Sequence, residues 1–130
     1  MAEKLTFSLV SPEREIFSGD VDQVDVPGTE GDLGIFPNHS PLMSAVRTGL
    51  VTIFVDGTED QYFVSGGFAD VTPSGLTLLA DEATHIDAVD HDDLRARIAV
   101  AESHLETLEG HPALSLRQDL DGMRAVLLSK

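Results

Sequence analysis

The sequence predicts a mainly β fold with an α appendage: an N-terminal β-sandwich, or flattened barrel, over residues 1–84, followed by an antiparallel two-helix hairpin over residues 85–130. Three observations carry that expectation. Apolar residues alternate with polar ones in short runs, as at Leu5, Phe7 and Leu9, which is the period of a strand with one buried face. Turn residues interrupt these runs about every 8 to 12 positions, the spacing of a sandwich or barrel. From about Thr84 the period of two gives way to helical intervals, with Leu94, Ile98, Ala101, Leu105 and Leu108 recurring every three or four residues.

In chain order, the first strand is broken by Ser11 and Pro12, and a second short strand over residues 13–18 ends at Gly19. Val21, Val24 and Val26 continue the β-branched theme up to Pro27. Residues 50–55, LVTIFV, read as a buried strand, and Asp56-Gly57 is the strongest hairpin signal in the chain. The return strand covers residues 61–64, and Ser65-Gly66-Gly67 turns the chain into a strand over residues 68–72. Pro73-Ser74-Gly75 turns it again before residues 76–80.

Asp90 is placed to cap the first helix, and Glu109-Gly110 supplies its stop, with Gly110 as the left-handed residue. The second helical series is Ala113, Leu116, Leu120, Met123 and Leu127. Its start is open on sequence grounds, because Pro112 suits a first helical turn while Ser115 with Gln118 resembles a capping box. Each narrow apolar stripe needs a partner helix, so the two pair antiparallel across residues 110–112. Gly122 inside the second helix costs about 1 kcal/mol against alanine. That marks the second helix as the least stable part of the molecule.

Residues 26–49, VPGTEGDLGIFPNHSPLMSAVRTG, fit neither regular class. Gly28, Gly31 and Gly34 allow positive φ or bulges, and Pro27, Pro37 and Pro41 stop regular pairing at or beside them. Leu33, Ile35, Phe36, Leu42, Ala45 and Val46 anchor the segment on a core, so it reads as a shaped loop on a rigid body.

A chain of 130 residues is most simply one domain or a domain with an appendage. Its longest apolar runs fall far below the 18 or so residues that span a bilayer, and MAEKLTFSLV carries no secretory signal pattern, so the protein is expected to stay where it is made. Without cysteine there is no disulfide framework, thiolate metal site or cysteine nucleophile. The formal net charge is −15, divided as −11 over residues 1–84 and −4 over residues 85–130. Such a surface repels nucleic-acid phosphates and anionic headgroups and suits a basic partner.

No phosphate-binding GxxxxGK[ST] loop, GxSxG elbow or HExxH motif is present, and Asp20, Asp22 and Asp25 lack the glycine and distal glutamate of an EF-hand. The chain is expected to be no enzyme by itself, with no cofactor and no metal. His39 beside Ser40 is no nucleophile–base pair, since neighbours in an extended loop point apart. Asp87, Asp90, His91, Asp92 and Asp93 have no metal-ligand spacing, and acids before a helix are expected from its dipole.

The order EGDLGIFPNHSPLMSAVRTG, extended upstream through LTFSLVSPEREIFSGDVDQVDVPG and downstream through VTIFVDGTEDQYFVSGGFADVTPSGLTLLADEA, strongly resembles the epsilon subunit of the F-type ATP synthase over about the first two thirds of the chain. The resemblance implies a noncatalytic rotor subunit of a proton-translocating enzyme, peripheral on the cytoplasmic face of a bacterial inner membrane. The sandwich would couple the c-ring to the gamma subunit. Glu30, Gly31 and Asp32 would meet the polar loop of the c-ring, while His39, Ser40 and Pro41 would face gamma. In the family the C-terminal hairpin lies folded on the sandwich or extends toward the catalytic alpha/beta head, where it restrains ATP hydrolysis. With Arg117, Arg124 and Lys130 partly offset by Asp119 and Asp121, restraint here is expected to be weak. Some members carry an ATP-sensing motif at the first helix. Asp92, Arg95 and Ala96 match it, but His91 departs from its aliphatic position and Glu102 follows in place of further cations, so the nucleotide site would be weak at most. Two alternatives are a free-standing nucleotide sensor with a mobile hairpin and the mitochondrial counterpart of the same stalk subunit; the lack of a transit sequence favours a bacterial protein.

Overall fold

The structure, a computed structural model, describes residues 4–128. Among these residues ten strands precede a short 3-10 turn and two helices. Strands β1 (Leu5–Val10) and β2 (Glu15–Val21) form a hairpin, and β3 (Gln23–Gly28) and β4 (Gly31–Ile35) a second. They are followed by β5 (Leu42–Val46), β6 (Gly49–Val55), β7 (Thr58–Val64), β8 (Gly67–Thr72), β9 (Gly75–Ala80) and β10 (Ala83–His85). Hydrogen-bonded neighbours run β10-β7-β6-β3-β5-β8-β9-β1-β2, with β4 added on β3. Every pairing is antiparallel except β1 with β9.

The sheet folds over on itself, bringing Phe17 of the edge strand β2 against Tyr62 of β7 with 6.3 Å between ring centroids. The Asp22 amide donates to the Phe54 carbonyl at 2.8 Å, extending the β3–β6 ladder, and Lys4 Nζ bridges Asp22 and Asp56 at 2.7 and 2.8 Å. The alternating residues all turn inward: Leu5, Phe7 and Leu9, then Val24 and Val26, Val51 and Ile53, Ala69 and Val71, Leu76 and Leu78 form one sealed core. Burying such side chains contributes about 1.5–3 kcal/mol each before the entropy of ordering the chain is subtracted.

Asp56 and Gly57 adopt positive φ of 50° and 81°, the paired left-handed turn that their sequence predicts. Elsewhere the strands outrun their sequence signals. β2 continues through Gly19, which stands opposite Phe7, and β7 begins at Thr58. The largest correction concerns residues 26–49, which hold two strands where a shaped loop was expected. Pro27 lies inside β3 opposite Asp32, and its carbonyl receives the Arg47 amide at 2.8 Å. The missing Pro27 N–H is not required at a non-hydrogen-bonded pair of the β3–β4 ladder. Gly28 faces Gly31 so closely that a Cβ at residue 28 would stand 2.5 Å from the Gly31 oxygen. These glycines permit tight pairing instead of ending it.

Helix α1 (His91–Leu105) begins as expected, with the Asp90 carboxylate accepting from the Asp92 and Asp93 amides at 3.0 and 3.1 Å. It stops before Leu108, because Thr107 donates from both its amide and its hydroxyl to the His104 carbonyl and closes the last turn. Gly110, with φ 71°, turns the chain into α2 (His111–Leu128). Pro112 therefore sits in the first turn, and Gln118 makes no capping box but reaches the sandwich. Leu94, Ile98, Ala101, Leu120, Met123 and Val126 pack with Phe63 in a second, smaller core on the outside of β6 and β7. Val126 is fully buried and Leu127 only partly, one residue off the expected stripe.

The join between sheet and helices is tied by His85. Its Nδ1 accepts the Asp87 amide at 3.1 Å, so Nε2 carries the proton donated to Asp60 at 2.6 Å. Among the described residues no helix is long and apolar enough to cross a membrane.

Candidate functional site

Two surface features and one helix terminus gather the residues singled out by sequence. The first is the tip of the β3–β4 hairpin. Thr29 and Glu30 form its turn, and the Thr29 amide donates to the Ala45 carbonyl at 3.1 Å. Gly31 opens β4 with φ 138°, a backbone state that favours glycine. Asp32 is exposed but paired, because Arg47 extends its guanidinium from the β5–β6 connection to the carboxylate. The tip thus offers Glu30 as an open carboxylate and Asp32 as one already shared with a cation. Arg47 carried no local sequence signal for this role, since it meets Asp32 only through the pairing of strands far apart in the chain.

The second feature is the β4–β5 connection and the sheet face beside it. His39, Ser40 and Pro41 lie on this connection. His39 Nδ1 donates to the Ser40 carbonyl at 2.8 Å, so the ring orders the backbone and is not aimed at the Ser40 hydroxyl. The Asn38 amide, on a residue with φ 63°, donates to the Pro73 carbonyl at 3.0 Å and ties the connection to the β8–β9 turn. Next to it, β5, β8 and β9 expose large apolar side chains. Met43 is 70% exposed, Phe68 56% and Leu79 54%, and Phe36, just after β4, is 53% exposed. The register aligns Ala45, Phe68, Leu79 and Val10 as one row across four strands, with Met43, Asp70, Thr77 and Ser8 as the row beside it. Directly opposed residues share a face, so the first row is a continuous apolar strip on the outside of the sandwich. Sequence period alone places Phe68 outward, because Ala69 and Val71 take the inward positions; the partners that make it a strip depend on strand order.

At the start of α1, Asp92 and Arg95 pair with each other at 3.1 Å, both well exposed, and Ala96 follows on the surface. The neighbouring cations are likewise engaged: Arg97 with Glu82 at 3.4 Å and Arg124 with Glu102 at 2.6 Å. With Asp121 also 3.9 Å from Arg124, a phosphate would compete with four carboxylates for these three guanidinium groups. His91 Nε2 is buried with no hydrogen-bond partner among the described residues. No group of three or more His, Asp or Glu side chains among those residues is arranged to hold a metal ion.

The molecule is thus a β-sandwich with an acidic hairpin tip, an apolar strip on its outer face and a helical hairpin laid against its side. The comparisons with known proteins agree on the family that has this architecture. Residues 4–86 match the family model described as ATP synthase, Delta/Epsilon chain, beta-sandwich domain. The ATP synthase epsilon chain of Maricaulis maris is 45% identical over 130 residues, covering 97% of this chain and 98% of that protein. ATP synthase epsilon chain 1 of Nitrobacter hamburgensis is 45% identical over 120 residues, covering 92% and 89%. A chain of the Euglena gracilis mitochondrial ATP synthase, OSCP/F1/c-ring in rotational state 1, shares the fold with a TM-score of 0.79 at 19% identity, covering 97% of this chain and 81% of that one. The chain belongs to the ATP synthase epsilon-chain family.

Proposed function

We propose that this chain is the noncatalytic central-stalk subunit of a proton-translocating ATP synthase, coupling rotation of the c-ring to the gamma subunit and through it to the catalytic head. The observation that carries the reading is the near full-length likeness, at 45% identity, to a protein named ATP synthase epsilon chain. The mechanical demand fits the body: transmitting torque needs a close-packed piece with low compressibility and specific interfaces. The acidic tip, Glu30, Gly31 and Asp32, serves as the c-ring contact, where charge sets orientation more than affinity. His39, Ser40 and Pro41, together with the apolar strip that exposes Phe68 and Leu79, serve as the gamma contact, since a strip of this kind is covered in an assembly. The protein is peripheral, on the cytoplasmic face of a bacterial inner membrane. Residues 1–84 are the coupling domain and residues 85–130 the helical domain, which rests on the sandwich and exerts weak restraint on hydrolysis, reaching the alpha/beta head only when extended.

Co-purification from native membranes tests this. The tagged wild-type chain is expected to bring down gamma and c-ring subunits, and the Glu30→Lys, Asp32→Lys double variant to recover less c-ring. Equal recovery by both forms discards the tip contact. A chain recovered alone discards the rotor reading.

A further inference from the structure

We propose that the acidic tip and helix α2 form one coupled unit, so that α2 lifting from the sandwich loosens the tip, and a partner seated on the tip alters how firmly α2 is held. The ring-facing role of the tip rests on the reading above; the coupling does not.

The link is the two-residue connection between β5 and β6, Arg47 and Thr48. Thr48 faces α2. It is a buried polar residue, 5% exposed, and its hydroxyl donates to Asp119 Oδ1 at 2.7 Å. Gly122, one turn further along α2, lies directly on the Thr48 backbone: a Cβ at residue 122 would stand 2.0 Å from the Thr48 oxygen and 2.9 Å from the Gly49 nitrogen. Arg47 belongs to the tip. Its guanidinium holds Asp32 and its amide donates to the Pro27 carbonyl. A second bridge skips the connection: the Gln118 side-chain amide donates to the carbonyl of Thr29, in the turn of the tip, at 3.2 Å. A cleft of about 400 Å³ is lined by Pro27 and Asp32 of the tip hairpin, Arg47, Leu50 and, from α2, Ala125.

When α2 opens, the Thr48 hydroxyl loses a charge-assisted acceptor and the Thr29 carbonyl loses its donor. The first loss falls on the residue next to Arg47, the second on the turn of the tip itself. Helices held by a small interface open more often than the whole molecule unfolds, so the coupling is exercised in the folded protein. Linkage makes it reciprocal: a change at the tip must shift the docking of α2 by the same free energy.

Amide hydrogen exchange on the full chain tests the proposal. The Thr29 and Arg47 amides, bonded to Ala45 and Pro27, report on the tip, and amides of the β1–β9 pair serve as reference. In Gly122→Ala the two tip amides are expected to exchange at least about fivefold faster, the lower end of ordinary coupling, with the reference amides unchanged. Asp119→Ala, which leaves the helix backbone undisturbed, is expected to act in the same direction if Gly122→Ala does not fold. In the reverse arm Arg47→Met is expected to speed exchange along α2. Faster exchange in α2 with the tip unchanged overturns the proposal, and so does equal acceleration of tip and reference, which is general destabilisation. All of this is read on the free chain, so its failure leaves the ring contact to stand or fall by co-purification.

Discussion

The sandwich and the helical hairpin are both held by apolar burial, but in different ways. The sandwich seals its core on all sides and pins one seam, the β2–β3 corner against the β6–β7 turn, through Lys4, Asp22 and Asp56. The hairpin covers the outer surface of β6 and β7, and its core of Leu94, Ile98, Leu120 and Val126 depends on one sandwich aromatic, Phe63. A body that cannot yield locally and an appendage that can is the division of labour expected of a coupling subunit. Phe7→Ala and Phe63→Ala should expose it most plainly. Each removes an almost fully buried ring and should cost about 3–5 kcal/mol. For Phe7 the loss should appear as a lower midpoint of global unfolding. For Phe63 it should appear mainly as faster amide exchange in α1 and α2, and an equal drop in the global midpoint would break the comparison.

Two glycines sharpen it further. A Cβ at Gly67 would lie 2.0 Å from the Leu79 oxygen, and one at Gly122 the same 2.0 Å from the Thr48 oxygen. Gly67 also has φ 134°, within a sheet paired on both sides, so neither strand can retreat. Gly67→Ala is expected to lower global stability by at least about 3 kcal/mol, from backbone strain added to overpacking. Gly122→Ala meets the same clash from a helix that can lift away. Its cost to global unfolding should stay below about 2 kcal/mol, with the change concentrated in α2.

Gly122 also illustrates what sequence can and cannot convey. By propensity it is a weak point in a helix; in the fold it is the place where α2 comes closest to the sandwich. Signals carried within a few residues are legible in advance, which is why Asp56-Gly57 and the Asp90 cap stand where expected. Pro27 within a strand, the Arg47–Asp32 pair and the Thr48–Asp119 hydrogen bond depend on residues brought together from distant parts of the chain. The tip residues were visible as an exposed acidic turn between glycines, while their neighbour α2 was not, because nothing local states which face of the sandwich a hairpin will cover.

The seam of the sandwich should reveal itself through pH. The hydrogen bond from Lys4, with the Asp56 amide next, holds the Asp22 carboxyl below its ordinary value, while hydrogen bonds to Asp22 and Asp56 raise Lys4. A lowered carboxyl contributes stability above its unfolded value near 3.8, and that contribution is lost as pH falls through the folded value. A raised ammonium contributes fully below 10.5, and its contribution is lost as pH rises through the folded value. The seam therefore contributes across the range between those limits and weakens outside it. Lys4→Met should flatten the acid limb of a stability–pH curve for the sandwich. The exchange of hairpin amides over the same range should be unaffected, since the seam lies on neither α1 nor α2.

The smallest effects should come from the ion pairs of the hairpin, and they separate its cohesion from its attachment. Arg124 and Glu102 join α2 to α1, while Arg97 and Glu82 join α1 to the sandwich. All four side chains are substantially exposed, so each pair should give about 0.2–1 kcal/mol in a double-mutant cycle. Arg97 differs in also standing over the Phe63 ring, 5.8 Å from its centroid, where a planar guanidinium stacks and an ammonium does not. Arg97→Lys is then expected to retain most of the coupling with Glu82 yet lose the coupling with Phe63. Arg124→Lys should change little. If Arg97→Lys proves as mild as Arg124→Lys, α1 is held to the sandwich by the apolar packing of Leu94 and Ile98 and not by its guanidinium.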